Sequence, residues 1–375
     1  MVYLDYCANA PVDPEVLDTF YTTTKTYFAN PNSIHTLGVQ ANQLLNQHAD
    51  HIASYFHVTR DELIFTSGAT ESNNLAIKGI CERYRNRGKH IIIGAMEHNS
   101  LVSSATRMQS YGFEVELAPI DRNGRIDLDE LEWMIRDDTI LVSIAAVDSE
   151  MGIVQDVEGI GAFLKQYPQL YYHVDASQAI GKVDLNYDNV DLITFTPHKF
   201  GGIIGTGVLV KKKDIGLKIQ IDGGKSTSIY RSGTPMLANI VACDQALTIA
   251  LAHQKEREAY VKAFQEDLLT FLKGYDNVHI NNTKYSNAYV INFSMKNIRS
   301  EVFAAKLDEH EVYISTKTSC CPENAPSKLV YALTKDKNLA LTSLRLSLSH
   351  LTTKEDVETF KKVFDQCYKE VYANG

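Results

Sequence analysis

The stretch LYYHVDASQAIGKVDLNYDNVDLITFTPHKFGG, residues 170–202, contains two short apolar runs, and each closes on a residue able to do chemistry. The first ends at Asp175 and the second reaches Lys199. Runs rich in Val, Ile, Tyr and Phe, bounded by Asp, Asn and Gly, read as β-strands. Similar runs lie on both sides: ELIFTSG (62–68), KHIIIGA (89–95), FEVELAPI (113–120), TILVSIAAVD (139–148) and GTGVLVKK (205–212). Helical periodicity fills stretches between them, notably 71–86 and 125–136. Strands alternating with helices imply βαβ units and a mostly parallel sheet covered on both faces. In such sheets ligands bind at the carboxyl ends of the strands, so the residues closing each run are the first place to look for function.

After residue 212 the pattern changes. Residues 235–274 read as one long helix, with Ala, Leu and Ile at helical spacing. NAYVINFS (287–294), VYISTK (312–317) and SLRLSLS (343–349) then read as strands, and SEVFAAKLDEH (300–310) and the last turns of the chain as helices. The expected architecture is α/β: a large domain with a mostly parallel central sheet and a smaller α+β domain. A chain of 375 residues is long enough for both. No internal repeat or low-complexity tract interrupts it.

Composition narrows the function classes. The formal net charge is −9, which leaves no basic footprint, and nucleic acid is not expected as a direct ligand. The N-terminus lacks signal-peptide character, and ILVSIAAV (140–147) falls well short of the roughly 20 apolar residues needed to span a bilayer. The six cysteines at 7, 81, 243, 320, 321 and 367 have neither disulfide-scaffold density nor a C-x-x-C pair, which points to a reducing cytoplasm. Cys7, Cys81, Cys243 and Cys367 read as small core residues. His48, His51 and His57 lie close in sequence without a further ligand motif, so they read as a solvated helix face and no metal is expected.

An aspartate and a lysine at neighbouring strand ends suit a pyridoxal phosphate site, where the lysine holds the cofactor and the carboxylate pairs with the protonated ring nitrogen. SGATES (67–72) places Ala69 and Thr70 at a strand-to-helix turn, where free N–H groups favour a phosphate. His98 of GAMEHNS (94–100) follows another strand end, where an imidazole can stack on a ring or move a proton. STKTSCCPENAPS (315–327) sets Cys320 and Cys321 side by side in a turn-rich segment.

With YLDYCANAPVDP, FANPNSIH, IFTSGATESNNLAIKG, VDSEMGIVQDV, FTPHKFGGIIGTGVLV, RSGTPMLANIVA and LRLSLSHLTT added in this order, the whole chain resembles the NifS/IscS-like cysteine desulfurases of the class V aminotransferase family. The resemblance implies fold type I of the pyridoxal phosphate-dependent transferases. It divides the chain into an N-terminal arm (1–14) packing with the small domain, a large cofactor-binding domain (15–253) and a small α+β domain (254–375) carrying a catalytic-cysteine loop. It further implies Lys199 as the Schiff-base lysine, Asp175 as partner of the ring nitrogen, and His98 stacked on the ring and active in proton transfer. Gln178 would meet the ring hydroxyl, while Ala69, Thr70, Thr196 and His198 would surround the phosphate. Thr234 would reach the phosphate of a neighbouring subunit in a homodimer. Arg345 and Ser149 would meet the substrate carboxylate of L-cysteine, and Cys320 would carry the persulfide to a sulfur-acceptor protein, such as an iron–sulfur scaffold or a tRNA-thiolation enzyme. His98 and Lys317 are the candidates for activating that thiol.

The sequence departs from the family pattern at Ser149, where an Asn is usual, at Pro197, which stiffens the approach to Lys199 and removes an N–H, and at Lys317, where a small residue is usual. YCANAP stands for YSATTP. The competing expectations are another pyridoxal phosphate reaction on the same fold, such as an aminotransferase or a selenocysteine lyase, or a weakened desulfurase.

Overall fold

The computed structural model describes residues 1–224, 226–316 and 325–373. Its strands are β1 (Val2–Tyr3), β2 (Leu63–Thr66), β3 (His90–Gly94), β4 (Glu114–Ala118), β5 (Thr139–Ala145), β6 (Tyr171–Asp175), β7 (Leu192–Phe195), β8 (Gly207–Lys211), β9 (Val278–Ile280), β10 (Val290–Met295), β11 (Val312–Tyr313) and β12 (Ser343–Ser347). Seven of them form one sheet in the order β2-β8-β7-β6-β5-β3-β4. The pairs from β4 to β7 are parallel, whereas β8 runs antiparallel to both β7 and β2.

Every residue of β2, β3, β5, β7 and β8 is buried, which is why these strands read as unbroken apolar runs; the edge strand β4 alone is largely open to solvent. Alternate side chains enter opposite layers. Phe65, Ile92, Val142, Val174, Phe195 and Val208 join one core. Ile64, Ile91, Ile93, Leu192 and Leu209 join the other, with the helix Ala69–Tyr84. Gly207 lets β8 pass the start of that helix, because a Cβ there would lie 2.4 Å from the Gly68 carbonyl carbon.

A second sheet, β12-β10-β9, is antiparallel and has its own core, with Phe364 touching Phe271, Tyr275, Phe293, Phe303, Phe360 and Tyr368. The start of the chain belongs to this core. β1 pairs in parallel with β11, Val2 opposite Val312, and Val2, Leu4 and Cys7 are buried there.

Two expectations change. The helix read over 235–274 is two helices, Leu237–Ala252 and Gln254–Leu272, meeting at His253. The first lies against the large core, whereas the second turns Val261, Leu268 and Leu272 into the second core, and no single straight helix serves both. Of the strand read over 312–317, the described residues form only Val312–Tyr313, after which Ser315 makes an isolated bridge to Arg345. No described helix is long and apolar enough to cross a membrane.

Candidate active site

A cavity of about 470 Å³ opens at the carboxyl ends of the parallel strands. Its walls include Ala69, Thr70, His98, Ser149, Asp175, Gln178, Thr196, His198, Lys199 and Arg345. Thr234 is outside it, on an exposed stretch after Gly233. Cys320 and Lys317 lie outside the described residues.

Asp175 ends β6 at its junction with β7, and its Oδ1 accepts from the Ser177 N–H at 2.9 Å. Its Oδ2 accepts from Asn73 Nδ2 at 2.7 Å. The same Asn73 nitrogen donates to Ser100 Oγ at 2.9 Å, and Ser100 Oγ lies 2.9 Å from His98 Nδ1. His98 caps the helix Asn99–Gln109 by accepting the Ser100 N–H on that nitrogen. Nδ1 is therefore the acceptor, so the neutral ring carries its hydrogen on Nε2. Burial lowers the His98 pKa, the charge of Asp175 opposing and that of Lys199 adding to the effect.

Asn73 was not among the site residues expected from sequence, because an Asn on a helix face carries no signal of what it will meet. In the fold it is fully buried and joins the carboxylate to the histidine. Asn73→Ala should cost about 1–3 kcal/mol, the penalty for leaving a buried acceptor unpaired, read as a shift in a urea-unfolding midpoint.

Lys199 sits in a short 3-10 turn just beyond β7. Its Nζ donates to the carbonyls of Cys7 and Ala8 at 2.8 and 2.7 Å. Burial pushes its pKa down to about 8, with Cys7 and Asp175 opposing and Lys182 and Arg345 adding. Gln178 Nε2 also donates to the Cys7 carbonyl, and its Oε1 accepts from Lys182. The N-terminal arm thus closes the site through backbone acceptors, which no side-chain pattern announces.

Thr196 Oγ1 donates to the Thr206 carbonyl at 2.7 Å, so His198 Nδ1–H donates to Thr196 at 2.8 Å. Burial, reinforced by Lys199 and Lys182, lowers the His198 pKa to about 4 and keeps the ring neutral at pH 7. Two further acids lie behind the strand ends. Asp148 accepts three backbone N–H bonds, yet burial still raises its pKa to about 6, and burial holds Glu97 well above the usual carboxylate range.

Arg345, on β12, donates to the Ser149 carbonyl at 2.7 Å and to Asp5 Oδ1 at 2.6 Å, while its Nε is buried without a partner. It is the backbone of Ser149, not its shortened side chain, that meets the arginine. Arg345→Ala breaks a largely buried pair and should destabilise the fold by on the order of 3 kcal/mol. Arg345→Lys should recover stability but not the two-pronged geometry, leaving KM for a carboxylate substrate raised.

These walls fit pyridoxal phosphate. The amides of Ala69 and Thr70 open the helix Ala69–Tyr84, where no intrahelical acceptor exists, and can receive a phosphate. Asp175 offers the carboxylate for a ring nitrogen and Lys199 the amine. Ser177 Oγ and Arg345 Nε are buried donors with no partner among the described residues, as expected where a polar ligand belongs.

The aminotransferase class-V family matches residues 2–360. The chain belongs to that family. It is 35% identical over 376 residues to a NifS/IscS-type homologue from Lactobacillus delbrueckii subsp. bulgaricus, covering 98% of this chain and 97% of that one. It is 36% identical over 366 residues to the cysteine desulfurase IscS of Salmonella paratyphi B, covering 95% and 90%. Among solved structures, a NifS-like protein superposes with a TM-score of 0.92 at 30% identity, covering 98% of this chain and 99% of that one. A protein called SspA, solved in complex with cysteine, superposes with a TM-score of 0.82 at 27% identity, covering 94% and 100%. The class-V family and its desulfurase members imply pyridoxal phosphate as cofactor in general terms.

The histidines away from the site have structural roles. His48 and His51 reach Asp244 at 2.7 and 2.8 Å and tie the helix Thr36–Ser54 to Leu237–Ala252, while the His51 side chain stays half exposed on the face expected to be solvated. Among the described residues no group of three or more His, Cys, Asp or Glu is arranged to hold a metal ion.

Proposed function

We propose that this protein is a pyridoxal phosphate-dependent cysteine desulfurase that converts L-cysteine to L-alanine and holds the sulfur as a persulfide on Cys320. One observation carries the reading: Lys199, Asp175, His98 and Arg345 converge on a single cavity in a chain aligned end to end with desulfurases. Bound there, pyridoxal phosphate would supply an electron sink that acidifies the Cα proton of the substrate. Arg345 orients the substrate carboxylate, and Lys199, whose amine is half neutral near pH 8, moves the Cα proton. The Cys320 thiolate takes the substrate sulfur: an S–S bond forms, the Cβ–S bond breaks, and a proton returned to carbon completes alanine. Atoms balance as thiol plus cysteine giving persulfide plus alanine.

The division into an arm (1–14), a large domain (15–253) and a small domain (254–375) is part of this proposal, supported by the separate hydrophobic cores. So is a homodimer with Thr234 serving the partner's site. The exposure of Ile204 on the cavity wall, at 64%, and of Ile229, at 56%, supports a covering subunit. The sulfur acceptor would be an iron–sulfur scaffold or a tRNA-thiolation enzyme. The free thiols Cys7, Cys81, Cys243 and Cys367 support a cytoplasmic setting.

Incubation with L-cysteine and a thiol reductant tests the reading. Alanine and sulfide should appear in equal amounts; a keto acid in place of alanine would indicate an aminotransferase or another lyase.

A further inference from the structure

A second cavity, of about 80 Å³, shares the Lys199 side chain with the first as part of its wall. It lies where several segments meet, among them residues 10–14, Gly181 and Lys182, Phe200 and Gly201 after the lysine, the Gln254–Leu272 helix, Tyr289, and residues 348–351 after β12. No single layer of the fold makes it. Several of its polar groups are uncommitted. Arg257 lines it partly buried, and its guanidinium makes no hydrogen bond or ion pair among the described residues. Tyr289, 4% exposed, also lines it, and its buried hydroxyl has no partner. The hydroxyl and the guanidinium lie within electrostatic reach of each other.

Asp13 lines the same cavity and is likewise within the field of Arg257, yet the two do not form an ion pair. One Asp13 oxygen accepts from the Glu15 N–H at 2.9 Å, and the other makes no hydrogen bond or ion pair among the described residues. His350 sits exposed at the rim, and desolvation with the neighbouring Arg257 lowers its pKa to about 4. The two lysines are already engaged, Lys182 with Gln178 and Lys199 with backbone carbonyls. What remains is a cation with a hydroxyl donor, a carboxylate, and an apolar rest made by Pro11, Val12 and Leu348. A buried donor left without a partner is costly, and a ligand supplying a carboxylate would satisfy both donors at once.

We propose that this cavity is a second, non-covalent site for a small α-amino acid, held as its zwitterion, with the carboxylate on Arg257 and Tyr289 and the ammonium on Asp13. Its size suits a short side chain such as a methyl group. An occupant there bridges the arm that clamps Lys199 to the second core, so binding tightens the closed site. The proposal deepens the desulfurase reading, whose product alanine belongs to this class, but the binding itself does not depend on turnover.

The test is equilibrium dialysis of the holoenzyme with labelled L-alanine while the visible absorbance of the cofactor is followed. Two alanines should bind per chain, one with an absorbance change and one silent. Arg257→Leu should lose the silent site and keep the other. Tyr289→Phe, which deletes one oxygen and keeps the packing, should weaken the silent site about tenfold and decides the matter where Arg257→Leu fails to fold. One alanine per chain in the parent protein, or an unchanged silent site in Tyr289→Phe, overturns the proposal. Acetate is the second probe: it should displace silent alanine only weakly, and acetate binding as tight as alanine overturns the role of Asp13. A silent site without any absorbance-linked one would instead refute the cofactor reading and leave this one standing.

Discussion

Replacing Lys199 with alanine should lower alanine formation from L-cysteine by at least about 10²–10⁴-fold, the range expected from losing the proton-transfer group alone. The loss should be deeper if the amine also holds the cofactor. The sign of the pH effect follows from the environment of the amine. Burial disfavours its charged form and moves the pKa from the usual lysine value to about 8. Below pH 8 the neutral fraction falls about tenfold per unit, and above it the fraction levels off. The rate at which cofactor-free protein captures pyridoxal phosphate should therefore climb through pH 6 and 7 and flatten above 8. A rate that keeps rising through pH 10 would show that the amine is not in this buried environment. The same depressed pKa makes a cofactor-free site most costly at low pH, where the buried amine is charged.

Cys320→Ser should abolish persulfide formation while leaving the visible absorbance of the cofactor in place. Cys321→Ser should leave alanine production largely intact. The described chain on both sides of this segment is tied to the cavity wall. Ser315 exchanges backbone hydrogen bonds with Arg345, and Ser327 donates to Glu150, next to Ser149. The measurement is cyanide-labile sulfur after incubation with L-cysteine. Undiminished labile sulfur in Cys320→Ser, or an equal loss in Cys321→Ser, would move the nucleophile to another thiol.

The parallel core was legible because β3, β5 and β7 are buried on both faces and so appear as uninterrupted apolar runs. Asp175 and Lys199 could be found because they close such runs. Strand direction left no trace: GTGVLVKK looks like its neighbours, yet β8 is reversed. The resemblance implied that the arm packs with the small domain, but the strand pairing of Val2 with Val312 left no trace, since two-residue strands have no period. Asn73, and the carbonyls of Cys7 and Ala8, were missed for a shared reason. An asparagine on a helix and a backbone oxygen in an arm acquire a role only from what the fold places opposite them. The break at His253 belongs to the same class, because it answers to two cores and not to local propensity.

The arm has a consequence for how the chain is made. Val2 and Leu4 are made before Val312, the partner of Val2, which is about 310 residues behind, a delay of roughly 15–60 s at ordinary rates of synthesis. Through that interval β1 has no β11 to pair with and the second core is still unmade, and Lys199, once made, is without the Cys7 and Ala8 carbonyls in their final place. Completion of the lysine pocket is thereby a late event of biogenesis, waiting on a strand made some 310 residues after its partner.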